Sequence, residues 1–167
     1  MLDNIKLDQT WIMAHIPHQG SMCLLDHVTH WDTKLIRCNA NSHRLPNNPL
    51  RLNGQLNAAC GIEYAAQAMA VHGALLAYAD SAIVAPDSER LAISQPRTGF
   101  LVSVRGATLY KLRLDEIAAD LDIEAICVQS SENNSLYQFT LFATGETLLD
   151  GRATVMFNAD TPLGIST

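Results

Sequence analysis

The sequence predicts an α+β fold in which a strongly curved antiparallel sheet of about six strands wraps one long central helix. Two observations carry this expectation. One helix-forming run, residues 56–79, is apolar on every side and almost free of charge. Most other apolar segments have strand length, and turn signals separate them.

The helical run comes first in the argument. Ala58, Ala59, Cys60, Ile62, Ala65, Ala66, Ala68, Met69, Ala70, Val71, Ala74, Leu75 and Leu76 cover every side of a helix rather than one stripe. Such a helix is expected to be buried all round. A membrane span is the competing reading of this run. Glu63, Gln67 and His72 interrupt it, alanine and glycine dominate over leucine and isoleucine, and no lysine or arginine cluster flanks it. Those features predict a buried helix with no membrane span. Within it, Glu63 is the first candidate for chemistry. A carboxylate in an apolar interior costs several kcal/mol unless it is neutral, partnered, or placed within reach of a polar substrate.

The strands follow from pattern and punctuation. Residues 22–31 and 35–40 flank the polar corner Asp32-Thr33-Lys34 and suit an antiparallel hairpin. A further strand is expected between residues 99 and 110. Leu121, Ile123, Ala125 and Cys127 alternate with Asp120, Asp122, Glu124 and Ile126, a period of two with one wet and one covered face. Residues 130–135 then form a turn. Residues 136–143 and 148–157 read as two more strands, joined through Thr144-Gly145-Glu146. Residues 79–95, with Pro86, Asp87, Glu89 and Arg90, read as an exposed connection, and residues 159–167 as a tail after a single domain spanning 1–158.

Composition narrows the function classes. The chain has 167 residues, 48 % of them hydrophobic, enough for one core. Its formal charge is -6 and its basic residues are scattered, so neither a nucleic-acid partner nor a polybasic membrane contact is expected. Cys23, Cys38, Cys60 and Cys127 lie far apart without metal-ligand spacing, as reduced thiols of a cytoplasmic protein would. Residues 1–11 carry Asp3, Lys6 and Asp8 and hold no apolar core of a secretion signal.

One apolar helix among antiparallel strands has few packing solutions, because a flat sheet covers only one side of it. A sheet curled round the helix solves the problem. That is the hot-dog architecture, and a lone protomer of it leaves sheet edge and helix surface exposed, so a dimer is expected.

Two segments resemble a known family. Ile16-Pro17-His18 followed by Leu24-Leu25-Asp26-His27-Val28 resembles the opening of bacterial 3-hydroxyacyl-(acyl carrier protein) dehydratases. Gly61-Ile62-Glu63-Tyr64-Ala65-Ala66-Gln67 is similar to the helical stretch that presents their acidic catalytic residue, with a glutamine four positions later. Residues four apart share a helix face, so Glu63 and Gln67 are expected to look into one pocket. The same stretch is similar to the dehydratase-like proteins of aryl polyene gene clusters, which act on carrier-bound polyene intermediates. The resemblance covers the N-terminal segment through the helix.

The resemblance implies a catalytic pair. In the family a loop histidine near closely spaced prolines works with the helix acid across the dimer interface, and His43, followed by Pro46 and Pro49, matches that position best. Loss of water from a 3-hydroxyacyl thioester needs a base for the C2 proton and an acid for the departing hydroxyl. His43 would be the base and Glu63 the acid, its carboxyl kept protonated by burial. Backbone amides around Asn57, Ala58 and Ala59 would polarise the thioester carbonyl. His43 stands twenty residues before Glu63, farther than in the fatty acid enzymes, and Asn57-Ala58 replaces the family's proline-glycine.

The remaining histidines have plainer readings. His18, in the matched N-terminal segment, is expected to hydrogen-bond and fix the turn after Pro17 and to border the substrate, with a catalytic part as the alternative. His15, His27, His30 and His72 read as surface or satisfied core groups, and His15 with His18 lacks a third ligand for zinc. Tyr64 faces away from Glu63 and is expected to pack. No metal or redox cofactor is expected, since the substrate rides on the phosphopantetheine of an acyl carrier protein. Arg97, Arg105, Lys111 and Arg113 are the candidates for docking that acidic partner. Three functions stay open: the dehydratase, a hot-dog thioesterase in which Glu63 activates water or attacks the thioester, and a non-catalytic subunit completing a heterodimer with an active dehydratase.

Overall fold

The computed structural model describes residues 6–84 and 99–157. A short helix α1 (Gln9–His15) opens the chain, capped by Asp8, whose side chain accepts from the Trp11 amide at 3.1 Å. Strands β1 (His27–Trp31) and β2 (Leu35–Ala40) form the expected hairpin, with Asp32 Oδ1 accepting from the Lys34 and Leu35 amides at its corner. The long helix α2 (Gly61–Val84) follows, then β3 (Gly99–Leu109), β4 (Leu121–Ser130), β5 (Asn134–Ala143) and β6 (Glu146–Phe157). All six strands join one antiparallel sheet in the order β1-β2-β4-β5-β6-β3. This is the hot-dog arrangement of one long helix held by one sheet.

Register explains the core. Cys38 pairs with Ile123, Ile123 with Leu141 and Leu141 with Leu149, so four buried side chains form one row across the sheet. The next row runs Ile36, Ala125, Phe139 and Gly151. Gly151 carries no side chain because a Cβ there would stand 2.8 Å from the Phe139 ring. Gly61 has a similar reason. A Cβ on it would stand 2.7 Å from Leu149 Cδ2 and 2.8 Å from Leu141 Cδ2, so glycine lets the helix start sit against the sheet.

Several boundaries differ from the sequence reading. The segment expected as strand from residue 22 folds as a 3-10 turn, Gly20–Met22, and β1 begins only at His27, because the Leu24 amide is taken by the Gln67 side chain at 2.9 Å. The helical run begins at Gly61 rather than residue 56, after a 3-10 turn Ala58–Cys60 capped by Asn57, and it runs past residue 79 to Val84. The rest of the connection expected at 79–95, the tail 159–167 and Arg97 lie outside the described residues. No described helix is long and apolar enough to cross a membrane. All four cysteines are free, and burial pushes the Cys38 thiol up to about 12, as suits a small hydrophobe.

Helix α2 is covered by its own sheet on most sides, but Glu63, Ala66, Ala70 and Gly73 stay half-buried. These positions fall on one face at helical spacing. Small side chains along that face leave room between helix and chain ends.

Candidate active site

Glu63 lies in the first turn of α2, where helix geometry turns it toward the N-terminal segment. His18, just after the Ile16-Pro17 stretch that ends α1, places Nε2 3.0 Å from Glu63 Oε1. Gln67, one turn on, donates from Nε2 to the same Oε1 at 3.0 Å. Gln67 is fully buried and also donates to the Met22 carbonyl at 2.8 Å while accepting from the Leu24 amide. One side chain thus ties the loop after His18 to the helix and fixes the carboxylate. Both neighbours bind Oε1, and Oε2 takes no hydrogen bond from any described residue.

Electrostatics follow from this packing. Burial raises the Glu63 carboxyl, but the hydrogen bonds from His18 and Gln67 and the charge of His18 outweigh it, so Glu63 sits below its ordinary value. The carboxylate is therefore the resident form at neutral pH, against the expectation that burial keeps it protonated. His18 Nδ1 is buried without a partner among the described residues, so the ring meets the site through Nε2. The side chains of His18 and Glu63 are 28 % and 32 % exposed, and both open onto one cavity.

That cavity holds about 580 Å³. His18 and Glu63 border it with Ala66, Met69, Ala70 and Gly73 of α2, and Phe157, beside Gly73 and Gly99, borders it with Val155. From Glu63 to Gly73 the helix advances about 15 Å. A carboxylate–imidazole pair heading an apolar slot can move protons at the polar end of a long apolar ligand. His15 also borders the slot, stacked on Trp11 with ring centroids 3.8 Å apart.

Not all the expected residues meet here. The His43 side chain is fully buried, with Nε2 donating to the Ile117 carbonyl at 3.0 Å, and burial holds its imidazole below the ordinary value. It does not border the cavity, and Glu63 finds its histidine in His18. Within this one chain the His43 ring offers no surface to a substrate. The amides near Asn57 are also spoken for. Ala58 N donates to the Leu112 carbonyl at 3.0 Å and Ala59 N to Asn57 Oδ1 at 2.8 Å, which leaves neither to polarise a carbonyl. Asn57 itself borders a separate surface pocket with Arg113. Tyr64 packs as expected, and its hydroxyl joins Ser42 Oγ at 2.8 Å and Asn48 Nδ2 at 3.1 Å.

Of the expected docking cations, Lys111 pairs with Glu146 at 2.7 Å and Arg113 with Asp115 and Glu116. Arg105 is exposed on β3, opposite Arg152 of β6. Among the described residues no three His, Cys, Asp or Glu side chains gather as a metal site requires.

Sequence reasoning missed α1 and the partnership of His18 with Glu63. The signal was present in the Ile16-Pro17-His18 motif, but nothing local in the sequence tells which of two loop histidines meets the helix.

Comparisons with known proteins bear on the fold and the family. The family model for ApeP-like proteins, described as ApeP dehydratase, matches residues 11–162. No curated protein matches the chain significantly. Among solved structures, the chain is similar to the dehydratase heterocomplex ApeI:P from Xenorhabdus doucetiae, with 18% identity and a TM-score of 0.74 over 90% of this chain and 92% of that one. It is also similar to a mutant of the thioesterase PA1618 from Pseudomonas aeruginosa, with 11% identity and a TM-score of 0.55 over 92% of this chain and 96% of that one. A hypothetical thioesterase with coenzyme A from Streptococcus pneumoniae matches at 10% identity and a TM-score of 0.51 over 95% and 98% of the two chains. At these identities the structural likenesses speak for the hot-dog fold alone. The family match spans nearly the whole sequence, and the chain belongs to the ApeP-like dehydratase family.

Proposed function

We propose that this chain removes water from a 3-hydroxyacyl thioester carried on the phosphopantetheine of an acyl carrier protein, giving the trans-2-enoyl thioester, with aryl polyene intermediates as the substrate class. The observation that supports it most is the His18–Glu63 pair bordering an apolar slot, with Oε2 of the carboxylate taking no hydrogen bond from a described residue. The Glu63 carboxylate takes the C2 proton through Oε2. The electron pair released forms the C2–C3 double bond as the C3–O bond breaks, and the departing hydroxyl takes the Nε2 proton of a protonated His18 and leaves as water. Release of the Oε2 proton to solvent and uptake of a proton at His18 Nε2, 3.0 Å from Oε1, restore the pair once product has left. Gln67 holds Oε1 throughout, so the carboxylate does not rotate away from the substrate.

The chain works beside a second hot-dog dehydratase subunit in this reading. Support comes from β3, an edge strand bonded on one side to β6, with Phe100, Leu101 and Val102 39–50% exposed along it. Phe100 and Leu101 also border the catalytic slot, so a partner on that edge would finish its wall. The test is incubation of the purified chain, alone and with a candidate partner subunit, with a 3-hydroxyacyl carrier-protein thioester, followed by mass spectrometry of the carrier. Loss of one water is the expected result. Free acid with carrier thiol would make the protein a thioesterase, and unchanged substrate in both conditions would leave a binding subunit.

A further inference from the structure

The slot that begins at Glu63 ends against Phe157. Phe157 and Gly73 also border a second cavity of about 440 Å³, so the two spaces meet at these residues. The first carries its polar groups at His15, His18 and Glu63, whereas the second mixes Leu76, Ala77 and Tyr137 with Thr33, Asp80, Ser130, Ser131 and Ser135.

The seat of the Phe157 ring is made by missing side chains. A Cβ on Gly73 would stand 3.8 Å from ring atom Cε1, and one on Gly99 would stand 3.3 Å from the same atom. Helix and strand β3 thus approach the ring from two sides with glycine. Phe157 itself is half-buried, at the last position of β6, and is not locked into the core.

We infer that the Phe157 ring, seated between Gly73 and Gly99, is the end wall of the acyl slot and sets the length of chain the site accepts. The inference rests on the reading of that slot as an acyl site. An apolar chain that runs along Ala66 and Ala70 stops at the ring, where its terminal carbons still meet apolar neighbours. Beyond the ring it would displace water from hydroxyls and a carboxylate without replacing their hydrogen bonds, which is unfavourable. Moving the wall therefore moves the preferred length.

The test compares wild type, Phe157→Ala and Gly73→Leu on 3-hydroxyacyl-pantetheine thioesters of increasing chain length, with the partner subunit present. Two quantities are read at each length: kcat/KM for dehydration, and the affinity for the matching saturated acyl-pantetheine by calorimetry. Phe157→Ala should raise the ratio of long-chain to short-chain kcat/KM by about tenfold, and Gly73→Leu should lower it by about tenfold. Should Gly73→Leu not fold, Gly73→Ala adds one carbon at ordinary contact distance and should shift preference the same way. Length profiles that match wild type in folded variants overturn the inference. If wild type dehydrates no length, the catalytic reading fails, and the binding profiles still decide the wall: a shift with Phe157→Ala supports it, while a flat profile or no acyl binding overturns it.

Discussion

Replacing Gln67 by leucine keeps the volume of a fully buried side chain and deletes its three hydrogen bonds, to the Leu24 amide, the Met22 carbonyl and Glu63 Oε1. The costs are unequal. The Leu24 amide belongs to a fully buried residue and loses its partner, at about 2 kcal/mol. Met22 is 39% exposed, so water can replace the bond to its carbonyl and the cost falls to about 1 kcal/mol. Glu63 keeps His18, so its loss adds little to stability. Gln67→Leu should therefore cost about 3 kcal/mol, or about 10 °C in Tm for a domain of this size. Urea unfolding followed by circular dichroism at neutral pH measures it, and repeating the substitution in a Glu63→Ala background isolates the Gln67–Glu63 coupling, expected below about 0.5 kcal/mol. A loss under about 1 kcal/mol for Gln67→Leu would refute the reasoning, because the loop after His18 would then be held in place by something else.

Two further predictions concern the pair and its platform. Glu63 is held below its ordinary value of 4.5, so the stability its ion pair contributes is present above that value and is lost as pH falls through the lower folded one. His18→Asn removes the main lowering partner and lets burial act, so the folded value rises toward the ordinary one and the stability lost on acidification through Glu63 should shrink, as measured by thermal unfolding across the acidic range. Gly61→Ala pushes a methyl to within 2.8 Å of Leu141 and Leu149, and should destabilise by about 1–2 kcal/mol in chemical unfolding, even though alanine suits a helix better.

The helix and the sheet were legible because their signals are local and redundant. An all-round apolar run has to be wrapped, and the alternation of Leu121, Ile123 and Ala125 appears directly as buried positions facing α2. Glu63 and Gln67 were legible for the same reason, since spacing of four on a helix fixes a shared face. Contacts that join distant segments were not. His18 and His43 are both loop histidines near proline, and only the fold shows that Gln67 draws the 18–24 segment onto the helix while His43 tucks under Ile117. The protonation of Glu63 was misjudged because burial and hydrogen bonding push its carboxyl in opposite directions, and the donors that decide the sign lie on two elements. Helix α1 was missed because its cap, Asp8, and its stacked pair, Trp11 and His15, mark only two turns. The amides near Asn57 were misread because their partners, Asn57 Oδ1 and the Leu112 carbonyl, include one more than fifty residues away.

Turnover of a 3-hydroxyacyl carrier-protein thioester by His18→Asn and His43→Ala, each folded and measured beside wild type in the same assembly, tests the central claim most directly. The His18–Glu63 account predicts that His18→Asn lowers kcat by about a hundredfold or more, whereas His43→Ala loses stability but keeps kcat within about fivefold for the folded protein. Normal turnover by His18→Asn with loss of activity in His43→Ala would contradict it and return the chemistry to the histidine that this fold buries.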